Sequence, residues 1–159
     1  MLIKILEYVR IAGVGLAFYL GYQTGFGEVY DVEAQLHLMI PLVIFFVAGL
    51  SGLEGLFFSR QSAALKGFET GSNYQIQSAI ALLGFAFSAA LVWWLNWGIK
   101  AELSVFSGFL FFFFFSAVNH SIQAVKHHNF KFENINRPFL VILLLGGFFY
   151  PLWKVWPLL

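Results

Sequence analysis

Residues 103–125 read LSVFSGFLFFFFFSAVNHSIQAV, a segment of 23 residues without a single Asp, Glu, Lys or Arg. A helix needs about 20 mostly apolar residues to cross a bilayer core about 30 Å thick. Three other segments meet this requirement, Leu36–Phe58, Tyr74–Trp97 and Phe139–Leu159, although they contain Glu54 and Lys154. We therefore predict an all-α fold, a polytopic transmembrane helical bundle.

The composition of the whole chain agrees with this fold class. Of its 159 residues 60% are hydrophobic and only 11% are charged, whereas soluble domains carry about 25% charged residues. The net charge is +1 and there is no Cys. These values argue against a nucleic-acid-binding protein, a disordered chain and a disulfide-stabilised secreted module.

The number of spans depends on the N-terminal segment, Leu2–Tyr22, which contains Lys4, Glu7 and Arg10 before a clean apolar run. We predict that it spans the membrane; the alternative is four spans plus an N-terminal helix lying in the membrane interface. The prediction is one membrane domain, residues 1–159, with helices at about 2–22, 36–58, 74–97, 103–125 and 139–159.

Charge asymmetry favours five spans with a cytoplasmic N-terminus and the C-terminus outside. This topology places seven Lys and Arg residues inside and only Lys100 and Lys154 outside, as the positive-inside rule expects. The seven are Lys4, Arg10, Arg60, Lys66, Lys126, Lys131 and Arg137. With four spans the distribution becomes five against four. We expect a multi-pass protein of the cell (inner) membrane.

Small residues recur at four-residue spacing in the first predicted helix, at Gly13, Ala17 and Gly21. Such a face lets two helix backbones approach closely in lipid. We expect it to pack within the bundle, with homo-oligomerisation or docking on a larger membrane complex as the alternative.

The fourth apolar helix carries a polar stripe. Its members share one helical sector of about 100°: Ser116, Asn119, His120, Gln123 and His127. We expect this stripe to face the bundle interior and the Phe-rich side to face lipid. The stripe either supplies hydrogen bonds between helices or lines a cavity for a polar group.

Ionisable and amide side chains at membrane depth are candidates for a site. Glu54 lies near the inner end of its helix, where Arg60 or Lys66 could pair with it, and the next span begins with Gln75 and Gln77. These residues could converge on His120. The ligand-binding candidates are Gln75, Gln77, Glu54, Asn119, His120, Gln123 and His127; no catalytic residue is identified.

A metal site is not predicted. Glu33 and His37 are one helical turn apart, a spacing that can place two ligands on one ion. They lie at the opposite end of the membrane from His120, His127 and His128, and one ion cannot take ligands from both ends of a span about 30 Å long. The identity of any cofactor stays unknown.

Two inner loops resemble those of a bacterial and archaeal membrane-protein family of unknown function. Residues 60–68 read RQSAALKGF and residues 71–77 read GSNYQIQ, similar to a family loop of roughly A-x-x-I-G-W-P-x-G-S-P-F-Q-F-E. His120 followed by Asn129-Phe130 and Asn134 resembles the family's Gly-His pair and its N-F-A-P-G-N loop. The similarity covers about Gly49–Pro138.

This chain departs from the family pattern at Gln77, where a carboxylate is lost, at Asn119, and at Lys131–Asn134. The resemblance implies an extra N-terminal span and directs attention to the inner loops, but it implies no reaction. The loop residues it selects as structural are Gly67, Gly71, Ser72, Asn129, Phe130 and Asn134. A looser similarity to DoxX-like proteins is one of topology alone.

Three functions follow from these features, in order of preference. The first is an accessory or partner-binding subunit of a membrane assembly, because no catalytic constellation is recognisable. The second is binding or transport of a small or lipid-like ligand through the polar stripe. The third is a membrane enzyme in which His120 and Glu54 form an acid–base pair. The lipid bilayer is the expected partner, and nucleic acid is not.

Overall fold

The computed structural model of the chain describes residues 2–159, apart from the side chains of Glu133 and Asn134. This part folds into six α-helices and contains no β-strand, which confirms the all-α bundle. In chain order the helices are α1 (Leu2–Gly25), α2 (Val32–Phe57), α3 (Ser59–Lys66), α4 (Asn73–Trp94), α5 (Ile99–Lys126) and α6 (Phe132–Val155). A π-helical turn, Phe45–Gly49, interrupts α2, and a 3₁₀ turn, Trp156–Leu158, follows α6.

Several helices extend beyond the predicted apolar segments. α2 begins at Val32 rather than near residue 36, because the Asp31 side chain caps it by accepting a hydrogen bond from the Ala34 amide at 2.9 Å. α6 begins at Phe132 rather than 139, and α3 occupies part of a segment predicted as a loop. Hydropathy marks only the apolar part of a helix, whereas backbone hydrogen bonding continues into polar flanks.

Four helical segments of the described chain are long and apolar enough to cross a membrane: Val32–Phe57, Asn73–Trp94, Ile99–Lys126 and Ile135–Leu158. They correspond to four of the predicted spans. α1 has 24 residues but is not among them, and it carries Lys4, Glu7 and Arg10 in its first half. Spanning by α1 therefore stays a prediction.

α1 packs along the length of the bundle, antiparallel to α2 and parallel to α6. Gly13, Ala17 and Gly21 are buried, and a side chain at Gly13 or Gly21 would collide with Phe46 or Met39 of α2. The small-residue face is thus used within the chain. On the other side, the Tyr22 hydroxyl donates to the Gly147 carbonyl of α6 at 2.9 Å.

The five long helices alternate in direction. The N-terminal end of the bundle, as we call it, holds the starts of α1, α4 and α6, the ends of α2 and α5, and all of α3. Two contacts join α1, α2 and α6 at this end: Arg10 of α1 bonds Glu54 of α2, and Asn136 of α6 donates to Glu7 of α1 at 2.7 Å. Functional side chains predicted on different helices therefore meet at one end.

The sequence led us to expect that the Phe side chains of α5 face outward to lipid. In the structure, only some of them do. Phe106, Phe109 and Phe113 are buried in the core, whereas Phe111 and Phe115 are exposed. Five consecutive Phe residues surround the helix, so some must point inward. The buried Phe residues continue the line of the polar stripe, which begins one turn later.

The helix crossing at Gly52 gives a test of this packing. A Cβ added there would stand 2.9 Å from the Ala79 carbonyl oxygen of α4. We expect Gly52→Ala to lower the free energy of unfolding by about 1–3 kcal/mol through overpacking. The control is Gly84→Ala, where no atom lies within 4 Å. Thermal unfolding in mild detergent provides the measurement, and equal melting temperatures for both variants would contradict the packing described.

Candidate functional site

A cavity of about 390 Å³ opens at the N-terminal end, between α2, α3, α4 and α5. We call it the N-terminal cavity. Its wall carries serine, amide, imidazole and charged side chains. The polar lining residues are Ser51, Glu54, Ser59, Ser62, Lys66, Glu69, Ser72, Tyr74, Gln75, Ser78, Ser116, Asn119, His120, Gln123 and Arg137. A volume of this size is ordinary for a small-molecule site.

The structure brings most of the predicted ligand-binding candidates together around this cavity. Glu54, Gln75, Asn119, His120 and Gln123 all line it.

The other two candidates lie elsewhere. Gln77 is exposed and absent from the lining, because two residues turn a helix by about 200° relative to Gln75. His127 is also exposed, in the first residue after α5. Neither side chain takes part in the cavity.

Glu54 is the centre of a charged cluster at the cavity wall. Its side chain is only 3% exposed. Oε2 accepts a hydrogen bond from Arg10 Nη2 at 2.7 Å, and Oε1 accepts one from Lys66 Nζ at 2.8 Å. The Ser62 hydroxyl donates to the same Oε1. A buried carboxylate bound by two cations stays ionised and holds three helices, α1, α2 and α3, together.

Of the two cations proposed from the sequence as partners of Glu54, the structure selects Lys66. Burial, reinforced by the nearby Arg137, lowers the pKa of Lys66 below its ordinary value, and the Glu54 carboxylate opposes this shift. Arg60 is exposed and makes no ion pair among the described residues. Arg60 and Lys66 are six residues apart on α3, which turns the helix by about 240°, so the two side chains face different directions.

Arg10 and Arg137 were missed as site residues by the sequence analysis. Arg137 lines the cavity from α6 and is partly buried. Within the part of the chain that the structure describes, no carboxylate lies at ion-pair distance from it. For Arg10 the available signal was a charged residue inside the first predicted helix, which is expensive in a membrane. Arg137 precedes the last predicted apolar segment, Phe139–Leu159, and gave no such signal.

The two loops that carry the family resemblance, residues 67–72 and 127–131, are joined directly. Asn129 Nδ2 donates to the Lys66 carbonyl at 2.7 Å and contacts the Gly67 carbonyl at 3.3 Å. Gly67 ends α3 with φ of +72°, and a Cβ there would meet the Asn129 amide. Gly67 and Asn129, which the family resemblance predicted as structural residues, thus hold the two loops together.

The other loop residues predicted as structural do not join the two loops. Gly71 has φ of +85°, and the Ser72 hydroxyl caps α4 by accepting from the Tyr74 amide. Phe130 is exposed, and the side chain of Asn134 lies outside the described residues.

His120 faces the cavity from α5 and packs against Phe68 of the loop between α3 and α4. The two ring centroids are 5.1 Å apart and the rings are tilted by 59°. Gln75 is anchored close by, since its Nε2 donates to the Glu69 carbonyl at 2.7 Å while its buried Oε1 has no hydrogen-bond partner among the described residues. The loop between α3 and α4 therefore forms the rim of the cavity.

The opposite end of the bundle holds a separate pair. His37 Nδ1 lies 2.5 Å from Oε1 of Glu102, a residue that is 2% exposed. Glu33, the other proposed partner of His37, is exposed. Among the residues described here, no three His, Asp or Glu side chains are grouped so that they could hold a metal ion.

Removing the Glu54 charge tests the cluster. Glu54→Gln leaves Arg10 and Lys66 without their shared carboxylate. We expect the free energy of unfolding to fall by about 3 kcal/mol, the lower end for a broken buried ion pair, because both cations keep some exposure. Glu28→Gln, at an exposed loop position, should change it by less than about 0.5 kcal/mol. Unfolding followed in detergent measures both, and a neutral Glu54→Gln would disprove the cluster's structural role.

Comparison with known proteins gives one match. The model of a protein family described as "Family of unknown function (DUF6790)" matches residues 9–153. No curated protein and no solved structure matches the chain at a significant level. The match agrees with the resemblance to an uncharacterised family, while the loop patterns and the similarity to DoxX-like proteins stay predictions.

Proposed function

The chain belongs to the DUF6790 family, whose function is unknown, and we propose that it binds a small ligand with an anionic group in the N-terminal cavity. This was the second of the three functions considered from the sequence. The observation that carries it is Arg137, a partly buried cation on the cavity wall that has no described carboxylate at ion-pair distance. Glu54 and Glu7 act on it only from further away.

The charges that are partly or fully buried around the cavity are unequal. Arg10 and Lys66 both bind Glu54, and Glu7 accepts a hydrogen bond from Asn136. Together with Arg137, this partly or fully buried group holds three cations and two carboxylates, a net charge of +1. Glu69 also lines the cavity, but it is exposed to solvent. A charge removed from water is costly unless it is paired. An anion beside Arg137 would complete the pairing.

Hydrogen-bond donors surround the same space. Ser116, Asn119, His120 and Gln123 project from successive turns of α5, and Gln75 faces them from α4. Hydroxyl, amide and imidazole groups suit phosphate or carboxylate oxygens, and Arg binds both in a bidentate manner. The wall therefore offers both charge and directional donors to an anionic group.

The enzyme hypothesis draws less support from the geometry. Both oxygens of Glu54 already accept hydrogen bonds, one from Arg10 and the other from Lys66 and Ser62. A carboxylate held by two cations is a weak general base. No particular surface of the described chain supports the accessory-subunit hypothesis.

We further propose five spans with the N-terminus in the cytoplasm and the C-terminus outside. α1 is 24 residues long, and its partners Phe46, Met39 and Gln35 follow α2 from the middle of the bundle to its far end. A helix lying in the interface would contact one end only. In this topology the N-terminal cavity opens toward the cytoplasm.

Anion binding can be tested with small probes. We expect inorganic phosphate, glycerol phosphate or acetate to raise the melting temperature of the purified protein, because a ligand that binds only the folded state stabilises it. Arg137→Gln should abolish the increase and Arg137→Lys should keep part of it. Arg60→Gln, an exposed cation of α3, is the matched control and should behave as wild type.

The absence of any shift with all three anions would overturn the proposed function. So would an Arg137→Gln variant that folds and responds as strongly as wild type.

The chain has no Cys, so single cysteines report topology cleanly. We expect Glu28→Cys to react with a membrane-impermeant maleimide in intact cells, whereas Lys4→Cys and Thr70→Cys should react only after permeabilisation. Labelling of Lys4→Cys and Thr70→Cys on opposite sides of the membrane would contradict five spans and favour the interfacial helix.

A further inference from the structure

A second cavity of about 320 Å³ lies between α1 and α6. We call it the α1–α6 groove. Most of its wall is aliphatic or aromatic, from Ile11, Val14, Phe18, Leu140, Leu143 and Leu144, with Gly15 and Gly147 leaving space. Its charged residues, Glu7, Arg10 and Arg137, are all at the N-terminal end of the bundle. The groove is thus apolar along its length and charged at one end.

The groove and the N-terminal cavity adjoin each other. Val47, Ser51, Phe113 and Arg137 line both spaces. Arg137 is the charged member of this shared wall, and it is the residue on which the proposed anion binding depends. A ligand held at Arg137 has hydrogen-bond donors on one side and an apolar channel on the other.

The dimensions of the groove fit one leaflet of a bilayer. From Arg137 to Gly147 the α6 backbone advances ten residues, or about 15 Å. This is half of a hydrocarbon core about 30 Å thick. The charged end therefore lies where lipid headgroups begin, and the apolar end, at Phe18 and Gly147, lies near the bilayer midplane. An amphiphile in the leaflet has the same polarity and the same length.

Building on the proposed function, we infer that the ligand is an anionic, acyl-chain amphiphile: its headgroup occupies the N-terminal cavity at Arg137 and a chain occupies the α1–α6 groove. Gly15 provides the entrance, because it is exposed and an added Cβ there would meet no atom within 4 Å. A larger residue at this position would fill the groove without disturbing the packing of the helices.

The test compares three probes on the detergent-purified full chain by native mass spectrometry and thermal unfolding. Dioleoyl phosphatidic acid carries headgroup and chains, glycerol phosphate carries the headgroup alone, and dioleoylphosphatidylcholine carries chains with a zwitterionic headgroup. We expect the wild-type protein to prefer phosphatidic acid to both other probes.

The variant Gly15→Leu should weaken binding of phosphatidic acid at least about tenfold, the equivalent of about two CH₂ groups excluded from apolar contact, and leave glycerol phosphate unaffected. Gly84→Leu, at a second helical glycine with open surroundings, should leave both unchanged. Arg137→Gln should weaken both probes.

Two failures can be told apart. If glycerol phosphate binds but phosphatidic acid binds no tighter, or Gly15→Leu has no effect, the acyl-chain inference falls and the anion site stands. If neither anionic probe binds the wild-type protein, the proposed function falls with it.

Discussion

The N-terminal end of the bundle depends on one buried carboxylate, that of Glu54. It binds Arg10 of α1 through one oxygen and Lys66 of α3 through the other. Ionised groups near the membrane interior are tolerated when they neutralise each other. The Glu54 charge thereby fixes the position of α1 against α2 and folds α3 back across the end of the bundle, which creates the cavity and leaves Arg137 facing it.

The rest of the fold supports this arrangement with apolar packing. Glycines on α1 and α2 permit close contact with Phe46, Met39 and Ala79, and the buried Phe side chains of α5 fill the centre. Close packing of this kind holds helices together in lipid, where burial of apolar surface gives little drive. At the N-terminal end the cavity wall combines apolar side chains such as Phe68 and Phe113 with serine, amide and charged groups.

The sequence predicted the class of fold and part of the site. Four apolar segments were long enough to be recognised alone, and the helical spacing of His120 and Gln123 placed them on one side of α5. Arg10 could not be placed beside Glu54, nor Arg137 on the cavity wall, because both positions depend on α1 packing between α2 and α6. Hydropathy gives no information on which helices are neighbours, nor on which of five consecutive Phe rings point inward.

The most direct measurement is an experimental density map of the protein in nanodiscs made from the membrane lipids of its own host. We expect Glu54 to bridge Arg10 and Lys66, with non-protein density about 3 Å from the Arg137 guanidinium that continues between α1 and α6. A map in which Arg137 itself pairs with Glu54 or Glu7, and both cavities contain only water, would contradict the account. It would show that Arg137 is neutralised within the chain and not by an anionic ligand.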